Sequence, residues 1–368
     1  MAVDAVFISS VIGGFEEVRE AAAAAVSASG LYPIRSEELS AVPASSQRAL
    51  LDQIAGAEYY LLLLSSRYGE VAAGTTSPTE DEFQEASRLG KQIFVLVQEA
   101  ELEPRQREFL ERIRGGWGEG VFYGTFAGAG DVGAKVGAAL TQLRSAIEED
   151  APAARERALT LAGEQDRSGW NLSVAVRVAF APLRRTVLLD PLALEQPGLG
   201  DDVIAALRAG GSIPQSVGVV ADVSSEGIHL SPPSQQSGPR AQVCSDGAIL
   251  INGSAASEDS FAGMRISPEA LAGFLASAGR SAQLVWERID ARAEIGQVAV
   301  ATCIPDAHHL AYGGSGSSLS LAGTVPSTVI VPDPPQVIPR AQLDQEATAR
   351  QLQAAIRRVF ADAGRAEQ

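Results

Sequence analysis

The chain has 368 residues, 46% of them hydrophobic and 20% charged, which is material for two packed domains and excludes a disordered polymer. Against 29 basic residues stand 45 acidic ones, a net charge of −16, so neither nucleic acid nor an anionic membrane is an expected partner. Two distant cysteines, Cys244 and Cys303, and three histidines, His229, His308 and His309, give neither a disulfide framework nor the short Cys/His spacings of a zinc site, so no metal is expected.

The start, Met1-Ala2-Val3-Asp4, has no basic leader, and no apolar run near it approaches the ~20 residues of a membrane span, so a cytoplasmic protein is expected. Val3 to Ile8 reads as a buried strand. Phe15, Val18, Ala22 and Ala25 then recur at helical spacing, and Gly30 closes that helix. A short strand at Leu31 to Ile34 follows, then a helix capped by Ser45 or Ser46 that carries Leu50, Leu51 and Ile54. Tyr59 to Leu64 is the most apolar run and predicts a central strand. After it come a helix over 79–89, a strand at Ile93 to Val97, a helix around 104–114, a strand at Val121 to Tyr123 and a helix over 131–147.

Five short apolar strands separated by helices predict an α/β domain over residues 1–147 with a parallel sheet in the order 2-1-3-4-5. That order has its switch point between the first and third strands, so the segments Ser9 to Gly14 and Ser65 to Gly69 are where a ligand belongs. Residues 148–168 read as a solvated helical connector with Pro152 as punctuation. Residues 169–368 read as an α+β domain with a mainly antiparallel sheet. Its expected strands lie at Val174–Phe180, Thr186–Leu189, Val217–Val220, Val243–Cys244, Ala248–Ile251, Val298–Cys303 and Thr328–Val331. Ser245-Asp246-Gly247 is its hairpin turn, Ser267-Pro268-Glu269 starts one helix, 341–361 is another, and 231–239 and 312–320 are loops. His308 and His309, read as strand neighbours, would point to opposite faces, and Trp286 reads as a structural anchor.

The candidate chemistry gathers in the first domain. Ser77, with Pro78 next and Glu80 three residues on, is a capping box. Glu82 lies past that turn, on a stripe with Ala86 and Leu89, at the flank of the buried face. A carboxylate there can stabilise or attack a ribosyl cation, or it is a solvated acid favouring the helix dipole. Arg19 is placed to hold a phosphate or pair with Glu16, Arg67 to bind phosphate, and Tyr68 to stack on a base or anchor its loop. Ser9 and Ser10, with Gly13-Gly14, offer donors to an anion at a helix start.

The ordered set Phe7-Ile8-Ser9-Ser10, Phe15-Glu16-Glu17-Val18-Arg19, Ser65-Ser66-Arg67-Tyr68-Gly69 and Ser77-Pro78-Thr79-Glu80-Asp81-Glu82-Phe83 with Ala86 and Gly90-Lys91 resembles the bacterial domain-of-unknown-function 4062 family over roughly residues 3–125. That family looks like a distant relative of the TIR and nucleoside 2-deoxyribosyltransferase folds, which implies a flavodoxin/TIR-like sheet. The Glu82, Ala86, Gly90, Lys91 frame is similar to the deoxyribosyltransferase segment holding the nucleophilic glutamate, so the resemblance implies Glu82 as the catalytic carboxylate. Gly14 and Glu58 stand where an Asp is usual. The implied function is hydrolysis of the N-glycosidic bond of NAD⁺ or a related nucleotide in anti-phage defence. Glu82 is then catalytic, and Ser9, Ser10, Arg19, Arg67, Tyr68 and Ser77 bind the nucleotide. NAD⁺ enters as substrate, no cofactor is expected, and the second domain senses a signal or drives homo-oligomerisation. A non-enzymatic self-association module and a nucleoside deoxyribosyl transferase are the alternatives.

Overall fold

A computed structural model of the chain describes residues 5–11, 13–35, 46–71, 76–89, 91–114, 123–163, 174–233, 238–256, 265–291, 294–313 and 325–363. The chain divides into two compact units, residues 1–149 with 292–296, and residues 150–291 with 297–368.

The first unit alternates strand and helix: β1 (Ala5–Ser9), α1 (Glu16–Ala28), β2 (Tyr32–Arg35), α2 (Ser46–Gly56), β3 (Tyr59–Leu64), α3 (Pro78–Arg88), β4 (Gln92–Gln98), α4 (Pro104–Arg114), β5 (Tyr123–Phe126) and the start of α5 (Ala129–Gly163), whose residues from Asp150 on belong to the second unit. Its five strands are all parallel, in the order β2-β1-β3-β4-β5, as the sequence predicts. Because strand side chains alternate, each apolar strand feeds two cores. Val6, Ile8, Leu61 and Leu63 pack with Val18 and Ala22 of α1 and Val132, Val136 and Leu140 of α5. On the other face Phe7, Tyr60, Leu62 and Leu64 pack with Ile54, Ala86 and Phe109. The fifth strand lies later than expected, at Tyr123–Phe126; Val121 and Phe122 fall outside the described residues, as does Ser45.

The solvated connector is corrected. α5 runs on through Pro152 to Gly163, and residues 164–168 lie outside the described residues. Ala154, Ala158 and Ala162, four apart, form a flat stripe that lies with Leu161 against Ala179, Ala181, Ala248, Ala299 and Ala301. The charged residues of that segment flank the stripe, and two of them are half-buried: Arg155 donates to the Pro335 carbonyl at 3.0 Å and Arg157 to the Pro182 carbonyl.

The second unit adds β6 (Ala175–Pro182), α6 (Pro191–Leu194), α7 (Leu199–Gly210), β7 (Val220–Ser224), β8 (Gly227–Ser231), β9 (Arg240–Cys244), β10 (Ile249–Ser254), β11 (Arg265–Ile266), α8 (Pro268–Ile289), β12 (Gln297–Ile304), β13 (Ala311–Tyr312), β14 (Val329–Pro339) and α9 (Glu346–Asp362). Seven strands form one antiparallel sheet, β14-β12-β6-β10-β9-β8-β7, and β11 pairs β13 separately. The turn Ser245-Asp246-Gly247 joins β9 to β10, with Gly247 at φ +79. Ser267 caps α8 by accepting the Ala270 N–H at 3.2 Å. Trp286 is the expected anchor, its indole N–H donating to the Gly247 carbonyl at 2.8 Å.

Three expectations for this unit change. Thr186–Leu189 is not a strand: the Leu188 and Leu189 N–H groups both donate to the Ser245 carbonyl, which holds the segment as a loop. The strand expected at Val217–Val220 begins at Val220, and β8 and α7 were not anticipated. His308 and His309 lie in a single 3-10 turn, Ala307–His309, with their rings 3.6 Å apart rather than on opposite faces. Among the described residues no helix is long and apolar enough to cross a membrane.

Candidate functional site

β1 and β3 are neighbours from which the chain winds in opposite directions, so their carboxyl ends mark the switch point of the first sheet. β1 ends there with Ser9, followed by Ser10, and both are buried. α3 starts at the same edge because Ser77 ends the preceding extended segment, its hydroxyl accepting the Glu80 N–H at 3.3 Å with Pro78 at the first helical position. One turn on, Glu82 points inward, and Ser9 Oγ donates to its Oε2 at 2.5 Å. α1 supplies the cation: Arg19 is 1% exposed, and its Nη1 donates to Ser10 Oγ at 2.7 Å. Ser10 Oγ donates in turn to the Val11 carbonyl at 2.9 Å. Three separate elements thus bring Ser9, Ser10, Arg19 and Glu82 together.

Burial dominates the electrostatics of this group. It pushes the Glu82 carboxyl up to about 7; the Ser9 hydrogen bond and the Arg19 charge pull the other way, and neighbouring Asp81 adds to the rise. Glu82 is 8% exposed. A carboxyl so placed is divided between its two forms near neutral pH. Ionised, it can face or attack a cationic carbon; neutral, it can give a proton.

The other expected residues are placed differently. Arg67 is exposed beside the group, its Nη2 donating to the Gly13 carbonyl, while Ser65 Oγ holds its backbone through 3.1 Å bonds to the Arg67 N–H and carbonyl. It therefore ties the loop after β3 to the loop after β1. Tyr68 and Ser77 belong to a second buried group. The Tyr68 hydroxyl donates to Glu80 Oε2 at 2.5 Å and accepts the Ser77 N–H at 3.1 Å. Its ring stands edge-on to Phe109 at 6.3 Å, and its N–H donates to Glu103 at 3.0 Å. Arg112 closes this group on Glu80 through bonds of 2.7–3.1 Å. The Tyr68 ring is thus committed to the core rather than presented to a base, and Ser77 acts as the cap of α3.

The two departures from the expected pattern are also explained. Gly14 has φ +79, and a Cβ there would meet Arg67 Nη2 at 3.3 Å, so an Asp would be strained and crowded. Glu58 lies at the opposite, amino end of the strands, where it accepts the Ala5 N–H. Lys91 of the helix frame donates to the Ala55 and Ala57 carbonyls at 2.7 and 2.5 Å, so it secures the end of α2; Gly90 lies outside the described residues.

One residue was missed. Tyr60 pairs with Phe7 across β1 and β3, which aims it at the same face as Ser9, two residues on from Phe7. It is fully buried, and its hydroxyl lies beside Ser9 and Glu82 without a hydrogen bond of ordinary geometry. Burial first, and the Glu82 charge second, push its phenol well above the usual tyrosine range. The only sequence signal was that, of the two tyrosines opening a strand that goes on as four leucines, Tyr60 is the one on the Ser9 face.

In the second unit Cys303 is a buried thiol whose pKa burial raises, the behaviour of a small core residue. Among the described residues no three His, Cys, Asp or Glu side chains gather as a metal site.

No curated protein matches the chain. Residues 5–139 do match the family described as Domain of unknown function (DUF4062), a stretch that covers β1 through the first part of α5 and so includes every residue of the Glu82 group.

Proposed function

We propose that the first unit binds a nucleotide, NAD⁺ or a close relative, and hydrolyses its N-glycosidic bond, with Glu82 as the reacting carboxylate. The observation that carries this reading is a buried carboxyl held by Ser9 at the switch point of a doubly wound sheet beside the guanidinium of Arg19, where burial pushes it up to about 7. The similarity of the Glu82 frame to the deoxyribosyltransferase segment that holds the nucleophilic glutamate supports it. When the bond to nicotinamide breaks, the ribosyl carbon becomes cationic; ionised Glu82 stabilises or captures it, and water completes the hydrolysis. Exposed Arg67 is the group available for phosphate. Defence by nucleotide depletion, a homo-oligomeric active form and a cytoplasmic setting complete the proposal.

The test is incubation of the purified full chain with NAD⁺, ATP and nucleosides, followed by mass spectrometry, against Glu82→Gln. Nicotinamide and ADP-ribose from the wild type alone support hydrolysis. A base exchanged onto an added nucleoside instead assigns the chain to transfer. Burial favours a second reading, a non-enzymatic module: Ser9 and Arg19 are each 1% exposed, as in a closed structural network. That reading predicts no product from either protein and self-association that Glu82→Gln leaves intact.

A further inference from the structure

Tyr60 has a ring that the fold explains and a hydroxyl that it does not. The ring stacks on Phe7 with centroids 5.9 Å apart and planes 4° from parallel. A phenylalanine would fill that space equally well, in a strand that otherwise continues as four leucines. Its hydroxyl is buried and has no partner of ordinary geometry, which costs free energy unless something nearby uses it. What lies nearby is the Ser9 hydroxyl and the Glu82 carboxylate.

We propose that Tyr60 is a positioning residue for Glu82: its O–H donates to Ser9 Oγ, so that Ser9 keeps its own proton on Glu82 Oε2. The proposal deepens the reading of Glu82 as the reacting carboxylate and rests on it for its consequence in catalysis. A serine hydroxyl has one proton and two acceptor sites. Ser9 donates its one O–H to Glu82 in a hydrogen bond, leaving its oxygen free to accept from Tyr60. The phenol suits this role because burial and the adjacent Glu82 charge, with Ser9 pulling the other way, keep it neutral and so keep on it the proton it donates. The other charges facing Glu82 are Arg19 of α1 and Asp81 of α3, which oppose each other. A chain of two hydroxyls polarised toward one carboxylate strengthens the final bond and favours the ionised carboxylate. No proton changes owner; the relay sets how much Glu82 is ionised at a given pH.

The experiment follows the carboxylic C=O stretch of Glu82 in the full chain by infrared difference spectroscopy against pH, with the band assigned by its loss in Glu82→Gln. In Tyr60→Phe the expected result is a titration midpoint moved upward, with the ionised fraction on the rising limb reduced roughly threefold. In Ser9→Ala, adding Tyr60→Phe is expected to move the midpoint no further, because the relay is already cut. An unmoved midpoint in Tyr60→Phe overturns the proposal; so does an equal shift with and without Ser9, which would mean that Tyr60 acts on Glu82 directly. These readouts require no turnover. If the wild type cleaves no NAD⁺, the functional reading falls while the relay is still judged by its titration.

Discussion

Among single residues, Glu82 carries the sharpest consequences. Its carboxyl is raised from 4.5 to about 7, so the folded chain binds that proton more tightly than the unfolded one. The stability this contributes is complete below pH 4.5 and is lost as the pH rises through 7. Wild type should therefore lose roughly 2–3 kcal/mol more than Glu82→Gln between about pH 5 and pH 8, measured by urea unfolding. Parallel curves for the two proteins would show that Glu82 is not a desolvated acid. Glu82 was legible in the sequence because a helix repeats: its spacing from Ala86 and Leu89 set it at the edge of the buried face. Tyr60 was not, because in a run of apolar residues a phenol reads as one more hydrophobe. Tyr68 misled for the complementary reason, since a loop tyrosine beside a glycine looks available until Glu80, Ser77 and Phe109 are seen to use all of it.

Secondary-structure elements that repeat a simple period were the most readable. The parallel order and the start of α3 followed from apolar runs and one cap. Replacing that cap, Ser77→Ala, should cost about 1 kcal/mol of stability in urea unfolding, since it removes the acceptor for the Glu80 N–H. An unchanged midpoint would deny Ser77 its capping role. α5 was harder to read, because alanine is small enough to be buried or exposed with little change in composition. Its contact with the second sheet is made by alanine on alanine, so Ala158→Leu should overpack it and destabilise the chain by about 1–3 kcal/mol. A neutral effect would place that face of α5 in solvent, as its charge content first implied. β8 and α7 escaped prediction, and β7 was placed too early, because a strand exposed along most of its length loses the clean alternation that marks a buried face.

Across the whole molecule the net charge of −16 and the division into two units frame the account. An acidic surface of this size should leave duplex DNA unbound at physiological salt in a gel-shift assay, and a retarded band would expose a basic patch that the overall charge conceals. The family match places a recognised domain in the first unit and leaves the antiparallel second unit outside it. In the first unit, the proposed chemistry rests on buried Glu82. It is tested most directly by nicotinamide release from NAD⁺ by the purified full chain and by Glu82→Gln, compared between about pH 6 and pH 8, across the pKa expected for this carboxyl. Release by the wild type should rise with Glu82 ionisation and be abolished in Glu82→Gln. Equal release by the two proteins, or none from the wild type, would contradict it.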